Sequence, residues 1–374
     1  MKNITFNLKN RTSKQVQIAI LLMSFLFIFA NSCKNDDDDD DNTPTTSNTW
    51  TELGSLNANE IIDFLCSDGT NIYAAGRFTN SSGKKYVAKW DGSSWSDLGS
   101  LNSSEIITAL WADPDGTVYA DAYYQSGSTW YRYVAKWNGS NWSNLGNLNV
   151  NAPIRTIFSD GVGNVYAAGD FTNGNGKKYV AKWNGSNWTE LGNLNADGTI
   201  NVVRSTPNGT VYAAGDFKEG GKCYVAIWDG SNWQNSGMLT EHLTGGGVYA
   251  LSRDNNGNFY AAGSFKHPGQ NLDNHDTYLA KWFNNVQSVV PGSEVNDYIY
   301  TLTEGSIIYA AGGFTNNSGN KYVAEWDGSN WSELGSLKAN NRILSLCTDA
   351  VGNVYAAGEF TNSNNVPYVA IYKK

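Results

Sequence analysis

Two phenols, an indole and a guanidinium crowd into one short segment at Tyr124, Trp130, Tyr131 and Arg132. Aromatic faces beside a fixed cation suit a sugar ring, a cationic group or a protein hot spot. A second cluster holds His267, Asp273, His275 and Asp276. Imidazole with carboxylate is metal-ligand chemistry, but this spacing matches no metal motif, so neither metal nor cofactor is expected. A third group, Asp63, Arg155, Tyr249 and Tyr300, is scattered along the chain. It gains meaning only if the fold gathers it. Asp63 with Asp297 would offer a carboxylate pair for acid–base work on a sugar. No GxSxG nucleophile, HExxH helix or GxxxxGK[ST] phosphate loop is present.

The elements that position these residues follow from a repeat. Tyr73, Tyr119, Tyr166, Tyr212, Tyr260, Tyr309 and Tyr355 each open a similar phrase: usually Tyr-Ala-Ala-Gly, an aromatic, then Tyr-Val-Ala-x-Trp. Their separations are 46, 47, 46, 48, 49 and 46 residues. A fixed period of this size means stacked copies of one unit that cannot bury its apolar face alone. In the third copy, segments 154–160, 164–171, 178–183 and 187–192 are short, aromatic or β-branched, and bounded by Gly, Asn, Asp or Ser. These are strand and tight-turn signatures. Four antiparallel strands per copy make a propeller blade.

The ends give the blade count. Residues 50–54 read as a fourth strand without its first three, and 368–372 as a third strand without its fourth. The spacing therefore predicts an all-β, seven-bladed β-propeller over 50–374, closed by the N-terminal strand completing the last blade. Twelve of the fourteen tryptophans recur at two repeat positions, including Trp90 with Trp95 and Trp183 with Trp188. A residue present in copy after copy on a strand is expected to pack blade against blade. The Ala-Ala-Gly segments suit the crowded region near the axis.

Function is expected where copies disagree. The second copy reads Asp121-Ala122-Tyr123-Tyr124, placing Asp121 where glycine is usual, and adds the off-pattern Trp111. Its loop carries Trp130, Tyr131 and Arg132. The fifth copy has a longer loop over 266–277 and offers Val286 in place of the fourth-strand tryptophan. At the start of each first strand, one position reads Asp63, Thr108, Arg155, Asn201, Tyr249, Tyr300 and Leu344 around the ring. Two residues earlier stand Ile61, Ile106, Pro153, Thr199, Gly247, Tyr298 and Arg342. This mixture of acid, base, amide and phenol at a channel mouth would serve a small polar ligand or line a hydrated funnel.

The run VYAAG followed by Tyr179 and Trp183 resembles the kelch and galactose-oxidase-type propellers, whose repeats show an apolar run ending in Gly-Gly, then a spaced Tyr and Trp. Only Gly312-Gly313 keeps the glycine pair; Arg77, Asp170, Asp216, Ser264 and Glu359 stand elsewhere at the second glycine. A galactose-oxidase-like copper centre would need His and Tyr ligands from several blades. His242, His267 and His275 fall in one neighbourhood, which argues against it. The copies also resemble propeller repeats of secreted Bacteroidetes proteins.

Residues 1–32 hold Lys2, Lys9, Arg11 and Lys14, no acid, and an apolar run over 18–30. That run is too short to span a bilayer and reads as a secretory signal. Ala30-Asn31-Ser32-Cys33 resembles a bacterial lipobox, which implies acylation of Cys33. Residues 36–41 are six aspartates, so 33–49 reads as an extended acidic tether. The cysteine and acidic block together resemble the export signal of Bacteroidetes surface lipoproteins, which implies the outer face of the outer membrane. The formal charge is −9, and clustered Lys and Arg are lacking, so nucleic acid is a poor partner. Cys66 and Cys347 share a repeat position in the first and last copies; with Cys223 they form no disulfide framework. The expected protein is a lipid-anchored monomer, a non-enzymatic module that recognises glycan or protein through one propeller face. The alternatives are a polysaccharide lyase or glycosidase at the channel mouth, and a scaffold of a surface complex.

Overall fold

The structure, a computed structural model, describes residues 49–99, 101, 106–126, 129–235, 246–265, 277, 279–283 and 286–374. Every regular element among them is a strand. Seven four-stranded antiparallel sheets form, six of them from consecutive strands. The seventh combines Ile343–Thr348, Val354–Gly358 and Ala370–Tyr372 with Trp50–Glu52. Trp50 pairs with Tyr372, Thr51 with Ile371 and Glu52 with Ala370. Each innermost strand contacts the innermost strand of the next blade, and the last contacts the first, so the ring is closed. The chain is a seven-bladed β-propeller, as the period predicts.

Small residues set the blade spacing. Second strands such as Val165–Gly169 and Val354–Gly358 are buried at every position. Their alanine pairs, Ala74-Ala75 through Ala356-Ala357, let neighbouring sheets close on one another. The glycine after the alanines answers a close approach. A Cβ on Gly215 would lie 2.0 Å from the Thr199 carbonyl oxygen, and one on Gly312 1.9 Å from that of Tyr298. The next aromatic, Phe78, Phe171, Phe217, Phe265, Phe314 or Phe360, is fully buried. Where its partner is described, it meets a third-strand tyrosine edge to face, as Phe171 meets Tyr179 at 4.9 Å.

The recurring tryptophans pack and fasten. Cross-strand pairs such as Trp90–Trp95 and Trp183–Trp188 lie 5.7 and 5.8 Å apart. The outer tryptophan also donates its indole N–H to the preceding blade: Trp95 to Leu53 at 2.7 Å, and Trp142 to Leu98 at 2.9 Å. Trp331 is the exception, since its buried Nε1 has no acceptor. Trp142→Phe is therefore expected to cost about 1 kcal/mol for the lost bond and stranded carbonyl, and Trp331→Phe to cost nothing on that account. Urea denaturation of both variants checks this. Equal losses would mean the indole N–H groups contribute nothing.

Two readings of the repeat need correction. Leu110 pairs with Ala120 as Leu65 pairs with Ala74, so Asp121 stands at the second alanine and Ala122 at the glycine. In blade five Gln287, not Val286, opposes Trp282, as Trp95 opposes Trp90. The thiols of Cys66, Cys223 and Cys347 form no disulfide. Burial pushes all three up, Cys223 to about 11.

Candidate functional site at the upper channel mouth

The upper face carries the loops between second and third strands and the links between blades. The residues facing the axis there share one local cause. In six blades the innermost strand slips register by one residue at its upper end, and the skipped residue is Asp63, Arg155, Asn201, Tyr249, Tyr300 or Leu344. A bulge of this kind leaves one residue out of the ladder and re-aims its side chain. Arg155, Asn201, Tyr249, Tyr300 and Leu344 accordingly line the central channel, a cavity of about 320 Å³.

Most of these residues are tied to the position just after the glycine of the same blade. Arg77 meets Asp63 at 3.3 Å, and Arg155 meets Asp170 at 2.8 Å. Asn201 donates to Asp216 at 3.2 Å, and Ser264 to the Tyr249 hydroxyl at 2.9 Å. The same position also stitches blades together. Thr199 of blade four donates to Asp170 at 2.6 Å. Gly247 of blade five makes room for Asp216, whose Oδ1 would lie 2.0 Å from a Cβ there. Burial, with the Asp170 charge adding, pushes the Asp216 carboxyl up. Burial also raises Asp63 against the pull of Arg77.

Blade six breaks this pattern. Its residue after the glycine is Gly313, so Tyr300 has no side chain to meet on its own second strand. Tyr300 turns instead to Arg342 of blade seven. Glu359 grips that guanidinium at 2.7 and 2.8 Å, and together with the Tyr300 hydroxyl it holds the Arg342 pKa above its ordinary value. Tyr249 stacks on Tyr300 at 6.0 Å, and Tyr298 meets both edge-on at 6.4 Å. Tyr300 thus stands between the channel and an adjoining depression of about 490 Å³, which Tyr298, Lys321 and Arg342 also line. Three phenol rings, a charged guanidinium and nearby carboxylates can stack on a ring and hydrogen-bond its hydroxyls.

The structure brings Arg155, Tyr249 and Tyr300 to one channel. Asp63 lies at the corresponding bulge of blade one, paired with Arg77. Asp63 and Asp297 sit two blades apart, and Asp297 accepts from the Tyr298 amide at 2.7 Å, so they form no carboxylate pair. Tyr298 and Arg342 come from the position two residues before the bulge. Variation just after the glycine, at Asp170, Asp216, Ser264 and Glu359, was the available signal for the pairing partners.

The aromatic segment of blade two is not a loop. Its second and third strands form a continuous hairpin from Val118–Trp137 to Ser126–Thr129, with Tyr124 opposite Tyr131 and Gln125 opposite Trp130. Arg132 turns into the blade, over the Tyr123 ring at 5.1 Å, and pairs with buried Asp121 at 2.6 Å. The Asp121 carboxylate also takes the Thr108 amide at 2.5 Å and the Thr108 hydroxyl at 2.8 Å. Off-pattern Trp111 packs on Phe158 at 4.5 Å, below the mouth. His267, Asp273 and His275 lie outside the described residues, as does Cys33. Among the described residues no three metal-ligating side chains converge.

No family model matches the chain. No curated protein is similar to it in sequence. Among solved structures it is similar to the GH74 xyloglucanase from Xanthomonas campestris, with a TM-score of 0.53, 11% identity, and coverage of 86% of this chain and 55% of that one. It is also similar to the β-propeller domain of the Trilobed protease from Pyrococcus furiosus, with a TM-score of 0.56, 10% identity, and coverage of 84% and 95%. That domain has an open velcro topology, whereas here the N-terminal strand closes the last blade. A puromycin hydrolase matches at a TM-score of 0.54 and 9% identity, over 83% of this chain and 52% of its own length. The chain spans about half the length of the xyloglucanase and of the hydrolase. At such identities the likeness shows the propeller fold alone.

Proposed function

We propose that the protein is a non-enzymatic binding module that recognises a glycan at the upper channel mouth. The observation that carries this reading is the Tyr249, Tyr298 and Tyr300 cluster beside Arg342. Aromatic faces take up sugar rings, while the guanidinium and mouth carboxylates fix hydroxyl positions. The module is a surface lipoprotein: residues 1–32 are its signal, Cys33 its acylation site, and 33–49 a spacer that carries the propeller clear of the membrane. Its repeats are of the kelch-like kind common in secreted Bacteroidetes proteins. A second reading, a polysaccharide-acting enzyme at the same mouth, is favoured by one observation: the raised Asp216 carboxyl beside Asp170 suits a proton donor.

A glycan array probed with the protein and with Tyr300→Ala and Trp130→Ala tests the reading. Tyr300→Ala is expected to weaken binding by about 2 kcal/mol, roughly thirtyfold, with Trp130→Ala unchanged. Loss with Trp130→Ala alone would move the site to the blade-two hairpin. Binding to no glycan would remove the sugar proposal. Release of reducing ends that stops in Asp216→Asn would establish the enzyme instead.

A further inference from the structure

The lower end of the channel has its own chemistry, independent of the upper mouth. Arg204 of blade four reaches past blade five to Glu304 of blade six, at 3.2 Å, and forms a clasp across the floor. Its guanidinium lies over Trp111 at 5.4 Å and Phe158 at 5.5 Å, which accounts for that tryptophan. Beside the clasp opens a cavity of about 260 Å³, which Arg204, Ser205, Arg253, Phe259 and Glu304 help to line.

Two buried polar atoms of this lining have no partner, the Arg253 Nε–H and the Ser205 hydroxyl. They are two of the four such side-chain atoms among the described residues, and both belong to one cavity. Both are donors. A buried donor without an acceptor costs about 1–3 kcal/mol, and more when charged. The carboxylates nearby are already engaged. Glu304 serves Arg204. Asp160 accepts from the Val162 and Asn164 amides at 3.0 Å, and Asp254 from those of Asn256 and Asn258 at 2.9 and 2.8 Å. Among the described residues Arg253 makes no ion pair; its guanidinium lies over Phe259 at 5.9 Å. The cavity therefore presents a guanidinium with no ion-pair partner among the described residues and two idle donors against the rings of Phe158 and Phe259.

We propose that this lower cavity binds an oxyanion, a carboxylate, sulfate or phosphate group, held by Arg253 and Ser205 and walled by the Arg204–Glu304 clasp. Such a group supplies the acceptors both donors lack, and charge-assisted bonds to a guanidinium are the stronger kind.

Isothermal titration of the purified protein at fixed ionic strength tests this, with sulfate, phosphate, acetate and glucuronate as titrants and chloride as reference. At least one titrant is expected to give saturable heat. The inorganic arms against the glucuronate arm separate a free ion from an acidic sugar residue. Arg253→Gln is expected to weaken binding at least about tenfold and Ser205→Ala several-fold, since charged hydrogen bonds are the stronger. Exposed Lys84→Gln leaves binding unchanged. No saturable heat from the unmodified protein for any oxyanion would overturn the proposal, because water would then satisfy both donors. Undiminished binding by a folded Arg253→Gln would overturn it equally. The titration of the unmodified protein decides the matter even if a variant fails to fold.

Discussion

Arg132→Ala is expected to lower the unfolding free energy by about 3–5 kcal/mol. Asp121 is 1% exposed and Arg132 13%, so removing the guanidinium leaves a carboxylate stranded inside blade two. Its remaining partners are the amide and hydroxyl of Thr108 and the Ala109 amide. Asp121→Ala together with Arg132→Ala is expected to recover most of the loss. Alanine is what the other six blades carry at that position, from Ala75 to Ala357. The double variant thus replaces a buried pair with ordinary blade packing. The pH dependence has a definite sign. Burial raises the Asp121 pKa even against Arg132. A carboxyl raised on folding adds stability below its unfolded pKa and loses it as pH rises through the folded value. Without Arg132 the folded value climbs further, so the deficit is expected to shrink on acidification from neutral pH. Thermal melting of single and double variants across pH checks both points. A deficit that grows toward acid, or a double variant no better than the single, would contradict the pairing.

A chain that begins at Gly54 is expected to lose ring closure. Trp50 packs on Tyr372 at 5.5 Å and donates to the Leu334 carbonyl at 2.7 Å. Removing a fully buried indole costs about 3–5 kcal/mol and this half-buried one somewhat less, and the truncation removes three cross-strand residue pairs besides. It also bares the edge of Ala370–Tyr372, which invites pairing with other chains. A markedly lower melting temperature, with association on a sizing column, is the expected result. An unchanged melting temperature and a monomeric profile would show that the ring holds without its fastener.

The architecture was legible because one unit is written seven times and its two halves lie at opposite ends. The recurring tryptophans were legible as packing for the same reason. The mouth was legible in part. Repeat phase alone aligned Arg155, Tyr249 and Tyr300, and the register slip at each bulge explains why that phase points to the axis. What phase could not show is pairing. Arg155 reads as a free base until Asp170, fifteen residues on, is seen folding back to it. Arg132 reads as exposed because a hairpin and a loop look alike in polar, aromatic sequence. Only strand register places it opposite Tyr123 and within reach of Asp121. Asp121 also explains how Ala122 replaces the glycine, since its carboxylate takes the Thr108 and Ala109 amides and no bulge forms there.

Hydroxyl-radical footprinting, with and without the oligosaccharide that the array selects, tests the central claim most directly. Protection confined to Tyr249, Tyr298 and Tyr300 is the predicted result, with Trp95, Trp142 and Trp188 oxidised equally in both states. Protection of the blade tryptophans or of the Tyr124–Tyr131 pair, with the mouth tyrosines unaffected, would contradict it.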